Sequence, residues 1–335
     1  METAQDMKQR LEAYLKARFP QRRELSVVEM ERPTMGVSHQ NYLVTVSWRE
    51  AQSPVSENLY IRMEPGFGRT VEEYDFTPQY EALKILHGTE VPVPKVHWVE
   101  TDDKLLGRPF GVLEKLEGEV LATFYRNNPE HQAQLRKDYV EIIAKMHGLD
   151  WQALNLSFLG VPETDRQRAE ETIVMMEERV EALQYAPQPV MAELFSWLKG
   201  NVPPCERTTF CHGDCHTGNF FARDGRIIAV LDWESASIGD PMLDIGWSCM
   251  MMRVVFRDFW DETEFIRAYE EASGVKVNGE SLFFWELLAF VRLILVGLIG
   301  VRTGLESEDL DMRQLGIWPV LVPMLQDGMA RMLGF

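Results

Sequence analysis

The stretch "HGDCHTGNFFARDGRIIAVLDW", residues 212–233, carries three side chains suited to binding a metal ion and a reacting hydroxyl group. Asp214 is followed by Asn219 five positions later and by Asp232 eighteen positions later. Residues 225–233 form an apolar run typical of a buried β-strand, which places Asp232 at a strand end. Two carboxylates and one amide on adjacent loops are what magnesium-dependent phosphoryl transfer needs, because Mg²⁺ prefers a few hard oxygen ligands.

Cysteine and histidine also crowd this stretch, which raises the alternative of a zinc site. Cys211, His212, Cys215 and His216 occupy four of six consecutive positions. Structural zinc needs a second pair of ligands at a similar short spacing, but the two remaining cysteines stand alone. We therefore expect no zinc, and we interpret the histidines as braces that hold a loop through hydrogen bonds to its backbone.

Length and charge limit the classes of function. A chain of 335 residues is long enough for two lobes, and 45% hydrophobic residues supply a packed core. Lys and Arg number 34 against 52 Asp and Glu, which gives a formal net charge of -18. Because affinity for nucleic acid depends on clustered cations, we expect no nucleic-acid partner.

Two segments bear on localisation. Residues 1–20 are predicted to form a charged amphipathic helix, and they lack the apolar core of a secretory signal. Residues 282–301 are apolar over a length that would cross a membrane, but Glu286 and Arg292 lie inside them. We interpret this run as a buried C-terminal helix and expect a cytoplasmic protein with no membrane partner.

The first third of the chain has the pattern of a small β-rich unit. Residues 41–48 alternate between apolar and polar side chains, residues 58–63 form a second short run, and a polar turn is predicted between them. Residues 77–86 have helical spacing, and residues 108–118 have the pattern of a further strand. We predict a mostly antiparallel sheet with one helix up to residue 117.

The pattern changes to long helical periods after Gly118. Apolar residues recur at helical spacing over residues 133–148, and again from about residue 240 to the end. The chain is therefore predicted to be α+β, with a small lobe over residues 1–117 and a large, mainly helical lobe over residues 118–335. We expect a cleft between the lobes, with Gly118 as the hinge.

Residues 212–247 resemble the aminoglycoside phosphotransferase and choline kinase superfamily, whose two lobes are similar to those of protein kinases. "HGDCHTGN" resembles its catalytic loop, "LDWE" its metal-binding turn and "GDPMLDIG" the element that follows. Earlier in the chain, "LYIRMEP" resembles the third strand, and "FGVLEKLEGE" resembles the strand and hinge before the large lobe. The nearest subgroup includes kinase-like domains fused to some acyl-CoA dehydrogenases, in which an arginine commonly stands in the third strand. A protein-kinase-like, two-lobed fold is implied.

The resemblance implies roles for matched residues of the large lobe. Asp214 would be the catalytic carboxylate that orients the acceptor hydroxyl and takes its proton. Because the transition state of phosphoryl transfer is loose, its contribution would be mainly alignment. Asn219 and Asp232 would bind Mg²⁺, and helices of the same lobe would bind the acceptor.

The resemblance also implies a nucleotide site in the small lobe. Arg62 would meet the α- and β-phosphates in place of the lysine typical of the wider family. Backbone groups from Glu114 to Leu116 would meet the adenine. Because the glycine-rich loop of protein kinases is absent, Ser38 and Asn41 are the residues left to contact the phosphates.

A second departure concerns the partner of the third-strand cation. The helix residue expected to pair with it is normally glutamate, but the best register here gives Gln79, with Glu81 two positions away. Because Arg62 carries a fixed charge, it needs no carboxylate to remain charged. The neutral partner nevertheless bears on how efficiently the nucleotide is used.

These expectations define a small-molecule kinase. It would transfer the γ-phosphate of ATP, or of GTP, to a hydroxyl group of a small-molecule acceptor with the help of Mg²⁺. The alternative is a catalytically weak, nucleotide-binding pseudokinase module, which Arg62 and Gln79 suggest. A metal-dependent hydrolase that uses the His and Asp cluster is a third hypothesis. Neither the acceptor nor the oligomeric state is readable from the sequence.

Overall fold

The structure, a computed structural model, describes residues 4–32, 40–51, 53–64, 76–183, 189–306, 322–329, 331 and 333–334. The chain divides into two compact units. The first is Met1–Gly118 with Ala229–Leu231, and the second is Glu119–Ile228 with Asp232–Phe335. The N-terminal segment of the first unit thus ends at Gly118, one residue beyond the predicted boundary. The prediction did not include the second segment of this unit, residues 229–231.

Five antiparallel strands form the sheet of the first unit. In spatial order they are β1 (Arg23–Glu31), β2 (Gln40–Glu50), β3 (Ser53–Met63), β5 (Phe110–Glu114) and β4 (Val96–Glu100). The helices of the described part are α1 (Ala4–Arg18), α2 (Thr77–Leu86) and α3 (Asp103–Leu106). The antiparallel sheet, α1 and α2 agree with the sequence pattern, and the four-residue α3 is an addition.

The two faces of this sheet are covered by different helices. Ile61 and Met63 of β3 are buried in one apolar cluster with Leu11 and Leu15 of α1. Successive side chains of a strand point to opposite faces, so the residues between them belong to the other face. Tyr80 of α2 packs on that other face. We call these the α1 face and the α2 face.

The polar turn predicted between β2 and β3, over residues 49–57, is shorter in the structure. Glu50 pairs with Ser53, so residues 53–57 continue the strand. The outer half of β3 alternates between exposed and half-buried positions, whereas its inner half is largely buried. An exposed half-strand has no apolar alternation, which is why sequence pattern alone indicated a loop.

The second unit is mainly helical, as predicted. Its helices are α4 (Leu121–Asn127), α5 (Gln132–His147), α6 (Gln167–Leu183), α7 (Pro189–Gly200), α8 (Met242–Val254), α9 (Glu262–Ser273) and α10 (Gly279–Glu306). Residues 322–329 are helical too. The Thr164 hydroxyl accepts a hydrogen bond from the Gln167 N–H at 3.2 Å, so it caps the start of α6.

Five short strands interrupt these helices and carry the loops of the candidate site. They are β6 (Glu119–Val120), β7 (Thr209–Cys211), β8 (Phe220–Arg223), β9 (Arg226–Val230) and β10 (Ser237–Gly239). β7 pairs with β10, and β6, β8 and β9 form a second small sheet in that order. Only the β9 segment has a clear strand pattern in the sequence.

Helix α10 is long and apolar enough to cross a membrane by length and composition. Over Gly279–Arg302 its most apolar window has a mean hydropathy of 2.3, and 78% of that window is buried inside the protein. Leu287, Val291 and Ile294 share one face of the helix and are fully buried. A core helix of a folded domain passes the same test, and α10 has the burial of such a helix.

Candidate active site

The catalytic-loop motif and the second acidic motif lie side by side because β7 and β10 are antiparallel partners. Cys211 at the end of β7 pairs with Ser237 at the start of β10. The loop that leaves β7 and the loop that enters β10 therefore begin at the same edge. Gly213 has a φ of +78°, and a Cβ atom there would collide with the carbonyl oxygen of Ser235. Only glycine permits this approach of the two backbones.

A hairpin brings Asn219 and Asp232 to one end of the second small sheet. The connection between β8 and β9 is the pair Asp224 and Gly225, which have φ values of 52° and 76°. Positive φ at both positions is typical of a tight hairpin turn. Asn219 immediately precedes β8, and Asp232 follows β9 by two residues. The two predicted metal ligands thus leave the hairpin at the same end.

Asp214 and Asn219 are in direct contact, as the catalytic-loop hypothesis requires. The Asn219 Nδ2 donates to the Asp214 Oδ2 at 2.7 Å and to the Asp214 carbonyl oxygen at 2.9 Å. The amide nitrogen is therefore committed to Asp214. Asn219 Oδ1 is the atom that remains for a metal ion, because an amide offers one oxygen and one nitrogen.

The two histidines of the motif use ring nitrogens to hold the loop backbone. His212 Nδ1 accepts the Asp214 N–H at 3.1 Å, and His216 Nδ1 accepts the Gly218 N–H at 3.0 Å. In the neutral form each ring then carries its proton on Nε2. His216 Nε2 lies 3.6 Å from Asp214 Oδ2, and its ring stacks on Phe256. These contacts match the predicted bracing role.

Asp232 has an unusual backbone conformation. Its φ and ψ are 64° and 63°, in the left-handed region, and it begins the short 3-10 turn Trp233–Ser235. A non-glycine residue there costs on the order of 1 kcal/mol, and such residues cluster at functional sites. Trp233 is buried and stacks on Phe210 with the ring centroids 5.6 Å apart, which fixes the turn. Asp232 itself is half-buried.

A buried network holds the backbone just before Asp214. The two carboxylate oxygens of Asp244 accept the N–H groups of His212 and Gly213, both at 2.7 Å. His147 Nε2 lies 3.1 Å from Asp244, and its Nδ1 lies 2.8 Å from the Tyr269 hydroxyl. Asp244 thus braces the catalytic-loop motif from behind. The pattern gave no indication of His147 or Tyr269, which are distant in sequence.

The sequence pattern also gave no indication of Arg292 of α10, which contacts both loops. Its guanidinium donates to the Gly213 carbonyl oxygen, lies 3.2 Å from Asp214 Oδ1 and donates to the Ser235 hydroxyl at 3.3 Å. The guanidinium carbon lies 4.5 Å from the ring centroid of Trp247 on α8. In the sequence, the one sign that Arg292 has a special role is its charge inside an apolar helix, because a buried charge needs partners.

Neighbouring groups keep the Asp214 carboxylate charged. Burial by itself raises the pKa of the Asp214 carboxyl, but the charge of Arg292 and the nearby ring of His216 lower that pKa by a larger amount. The net effect holds that pKa well below the usual aspartate range. Asp214 is therefore ionised and acts as a hydrogen-bond acceptor, which is the form that can receive a hydroxyl proton.

In the first unit, Arg62 lies on the α2 face of the sheet. It pairs with Gly111 of β5 and with Asn41 of β2, and a Cβ atom at Gly111 would collide with the Tyr80 ring of α2. Directly paired residues point to the same face, so Arg62 and α2 share that face. Helix α2 therefore covers the face that carries the predicted phosphate-binding arginine.

The two candidate partners for Arg62 differ in burial. Gln79 is buried, with 5% of its surface exposed, whereas Glu81 is exposed. The residue at the inner position of α2 is thus the neutral amide, in agreement with the register that the sequence favours. A carboxylate at position 81 points to solvent instead.

Of the other residues predicted to contact the nucleotide, Glu114 and Leu116 lie within the described part of the structure. The Glu114 N–H donates to the Lys95 carbonyl oxygen at 2.9 Å, and the Glu114 carboxylate accepts the Lys95 N–H at 2.7 Å. An adenine contact from Glu114 would therefore use its carbonyl group. Leu116 is half-buried in the segment that follows β5. Ser38 lies outside the described residues.

Comparison with known proteins yields one family. The profile of the phosphotransferase enzyme family matches residues 29–281, more than half of the chain. Acyl-CoA dehydrogenase family member 11 of Rattus norvegicus is 25% identical over 83% of this chain and 38% of that protein. The aminoglycoside 3'-phosphotransferase of Enterococcus faecalis is 24% identical over 70% of this chain and 84% of that protein. The chain thus spans well under half the length of its dehydrogenase-named relative.

Solved structures show the same fold. A crystal structure of a Ralstonia eutropha protein presumed to be an aminoglycoside phosphotransferase superposes with a TM-score of 0.70, 22% identity and 95% coverage of both chains. A thermostable aminoglycoside phosphotransferase APH(4)-Ia with ADP and hygromycin B gives a TM-score of 0.62 at 13% identity, covering 95% of this chain and 98% of that one. These matches confirm the predicted α+β, protein-kinase-like fold class. Together with the family profile, they show that the chain belongs to the phosphotransferase enzyme family.

Proposed function

We propose that this chain transfers the γ-phosphate of ATP to a hydroxyl group of a small molecule in a magnesium-dependent reaction. The observation that carries the proposal is the bonded pair Asp214 and Asn219, with the strained Asp232 leaving the neighbouring hairpin at the same end. Family membership supports the class of reaction. An ADP and hygromycin B complex of a structural neighbour supports a nucleotide donor and a hydroxylated acceptor.

The proposed step exchanges one phosphorus–oxygen bond for another. The acceptor oxygen forms a bond to the γ-phosphorus while the bond from that phosphorus to the bridging oxygen breaks, and ADP leaves with the electron pair. Asp214 accepts the hydroxyl proton and then releases it to water. Asn219 and Arg292 hold its two carboxylate oxygens, so the carboxylate meets the hydroxyl in one orientation.

Asn219 and Asp232 fit a bound Mg²⁺ by their chemistry. An amide oxygen and a carboxylate are hard ligands, and two protein ligands leave the rest of an octahedral sphere for phosphate and water. Because the Asn219 nitrogen is bonded to Asp214, its Oδ1 would be the ligating atom. When bound, the metal would neutralise charge on the nucleotide phosphates.

The α2 face of the first unit supplies the proposed contacts to the donor. Arg62 would bind the α- and β-phosphates, because a guanidinium stays charged without a carboxylate partner. The carbonyl of Glu114 and the backbone of Leu116 would bind the base. Ser38 and Asn41 would complete the phosphate contacts. GTP is the other donor to test, since the contacts proposed here engage phosphate more than base.

A second candidate function rests on Gln79. Kinases of this type pair the third-strand cation with a carboxylate, whereas the buried inner position here is a neutral amide. A weak pseudokinase module that binds nucleotide without efficient transfer is consistent with that burial. The hydrolase hypothesis has less support, because the matching family profile is that of phosphotransferases.

An acceptor screen tests the proposal. Purified protein is incubated with ATP or GTP, MgCl₂ and a panel of aminoglycosides, sugars and aliphatic alcohols of neutral, positive and negative charge. We expect ADP or GDP to form only in the presence of one acceptor class, and to stop when EDTA removes the metal. Magnesium-dependent nucleotide binding without transfer to any acceptor would favour the pseudokinase, and absence of binding would contradict both.

A further inference from the structure

Arg292 is placed where it can hold the two functional loops together. It stands on α10, at least 57 positions along the chain from each of its three polar partners. Three acceptors surround its guanidinium: the carbonyl of Gly213, the carboxylate of Asp214 and the hydroxyl of Ser235. The first two belong to the catalytic loop, and the third ends the short turn that Asp232 begins.

The guanidinium of Arg292 packs over the ring of Trp247. The 4.5 Å separation from the ring centroid is within cation–π range, and tryptophan is the strongest aromatic partner for a cation. The Trp247 indole N–H is buried and has no hydrogen-bond partner within the part of the chain that the structure describes. Phenylalanine would avoid that unsatisfied donor, so the contribution of Trp247 lies in the face of its ring.

A guanidinium suits this position better than an ammonium. Its planar fork presents five N–H donors, which can reach three acceptors in different directions while the plane stacks on an aromatic ring. A lysine could approach Asp214 as a point charge, but it could not bridge all three acceptors and stack at the same time. The geometry therefore depends on shape as well as charge.

We propose that Arg292 is a positioning residue that locks the Asp214 carboxylate and the turn Trp233–Ser235 in a fixed relation to each other. The proposal rests on the proposed function, in which Asp214 meets the acceptor hydroxyl and Asp232 binds the metal. Arg292 acts through these two residues. Its loss should lower the turnover number much more than it changes the nucleotide KM, since a misplacement of about 1 Å at a reacting group costs about 10²-fold.

The test compares variants of two arginines on the same helix. Arg292→Ala removes the clamp, and Arg292→Lys keeps the charge without the fork. Arg302→Ala is the matched control, because Arg302 also donates from α10 to a distant backbone carbonyl, that of Ala182 in α6. Transfer from MgATP to the acceptor found in the screen is measured for each variant, with and without added guanidinium chloride at a non-denaturing concentration.

We expect Arg292→Ala to lower kcat about 100-fold with a nucleotide KM within about threefold of wild type. Arg292→Lys should recover less than a tenth of the loss, and guanidinium should restore part of the activity to Arg292→Ala alone. Arg302→Ala should behave as wild type. Unchanged kcat in Arg292→Ala, or full activity in Arg292→Lys, would overturn the proposal.

Unfolding midpoints separate this proposal from the proposed function because they need no turnover. Denaturant midpoints are measured for Arg292→Ala, Ser235→Ala and the double variant. We expect the shift of the double variant to be smaller than the sum of the two single shifts, because the two residues share one contact. Additive shifts would overturn the clamp whatever the activity. If the shifts of the variants are coupled but the wild-type protein transfers no phosphate, the proposed function is refuted and the link between the two loops still holds.

Discussion

The catalytic loop of the second unit and the arginine strand of the first unit position their polar side chains by different means. Asp214 is held by side chains from other elements, and the backbone before it is fixed by the buried Asp244. Arg62 is placed by sheet register, between Asn41 and Gly111. The polar contacts fix the position of the Asp214 carboxylate, whereas the strand register fixes only the face of the sheet on which Arg62 lies. Changes at Asp214 should therefore act on turnover, and changes at Arg62 on nucleotide binding.

The largest expected effect tests the network at its centre. Asp214→Asn should lower phosphate transfer about 10³-fold, because the amide cannot accept the hydroxyl proton. Magnesium-dependent ADP binding, measured by calorimetry, should stay within about threefold of wild type. A variant with wild-type activity would remove Asp214 from the reaction, and a variant that no longer binds nucleotide would move it to the donor site.

Asp232 should separate metal binding from proton transfer. We expect Asp232→Ala to weaken magnesium-dependent nucleotide binding at least tenfold, because one metal ligand is lost. Binding measured in EDTA should change much less. Asp232→Gly provides the backbone control, since glycine relieves the left-handed strain while removing the same carboxylate. Equal binding in both variants and wild type would contradict the assigned role.

The brace behind the loop should contribute mainly to stability. Asp244→Asn offers one oxygen to the two N–H groups that Asp244 now accepts, so one buried donor loses its partner. We expect the free energy of unfolding to fall by about 2 kcal/mol. Asp261→Asn is the matched control, because asparagine caps a helix as well as aspartate does. Equal urea midpoints in the two variants would contradict the brace.

Stability should also depend on pH through Glu286 of α10. Burial raises its pKa to about 7, with Arg253 opposing and Glu262 adding to the shift. The folded protein then holds a proton that the unfolded chain releases, so the free energy of unfolding should fall as pH rises from about 4.5 to 7. Glu286→Gln should flatten this dependence by on the order of 1 kcal/mol. Identical pH slopes, measured by urea unfolding, would refute the assignment.

The smallest effect is expected on the α2 face of the first unit. Gln79→Glu supplies the carboxylate that related kinases place beside the third-strand cation. We expect the ATP dissociation constant to change less than about threefold, because Arg62 keeps its charge with either neighbour. Arg62→Ala should weaken binding by about tenfold or more. A large gain of turnover in Gln79→Glu would show that the neutral amide limits the wild-type enzyme.

The sequence predicts those site residues that lie within one short segment with a recognisable motif or periodicity. Asp214 and Asn219 lie in one motif, and Asp232 follows one apolar run. A further local signal was available: Asp224 and Gly225 form the Asp-Gly pair typical of a tight hairpin, and it lies between the apolar runs 220–222 and 227–231. It would have indicated β8 and the closeness of Asn219 to Asp232.

The residues that sequence reasoning missed are linked over long distances in the chain. His147 and Asp244 are 97 positions apart, and Arg292 is 79 positions from Gly213. Their contacts arise from helix packing, which no periodicity in a single segment encodes. A histidine on the inner side of an amphipathic helix has the same pattern as a core residue, and an arginine in an apolar helix gives no indication of its partner.

The position of α10 in the fold determines which truncated forms of this protein can fold. The family match ends at residue 281, near the first turn of that helix, and begins at residue 29, after α1. A polypeptide trimmed to the matched interval would keep every motif residue of the second unit. It would also expose the apolar surfaces that α1 and α10 cover, and it would lack Arg292. Trimming by likeness alone should thus yield an insoluble or inert fragment even though each signature residue is present.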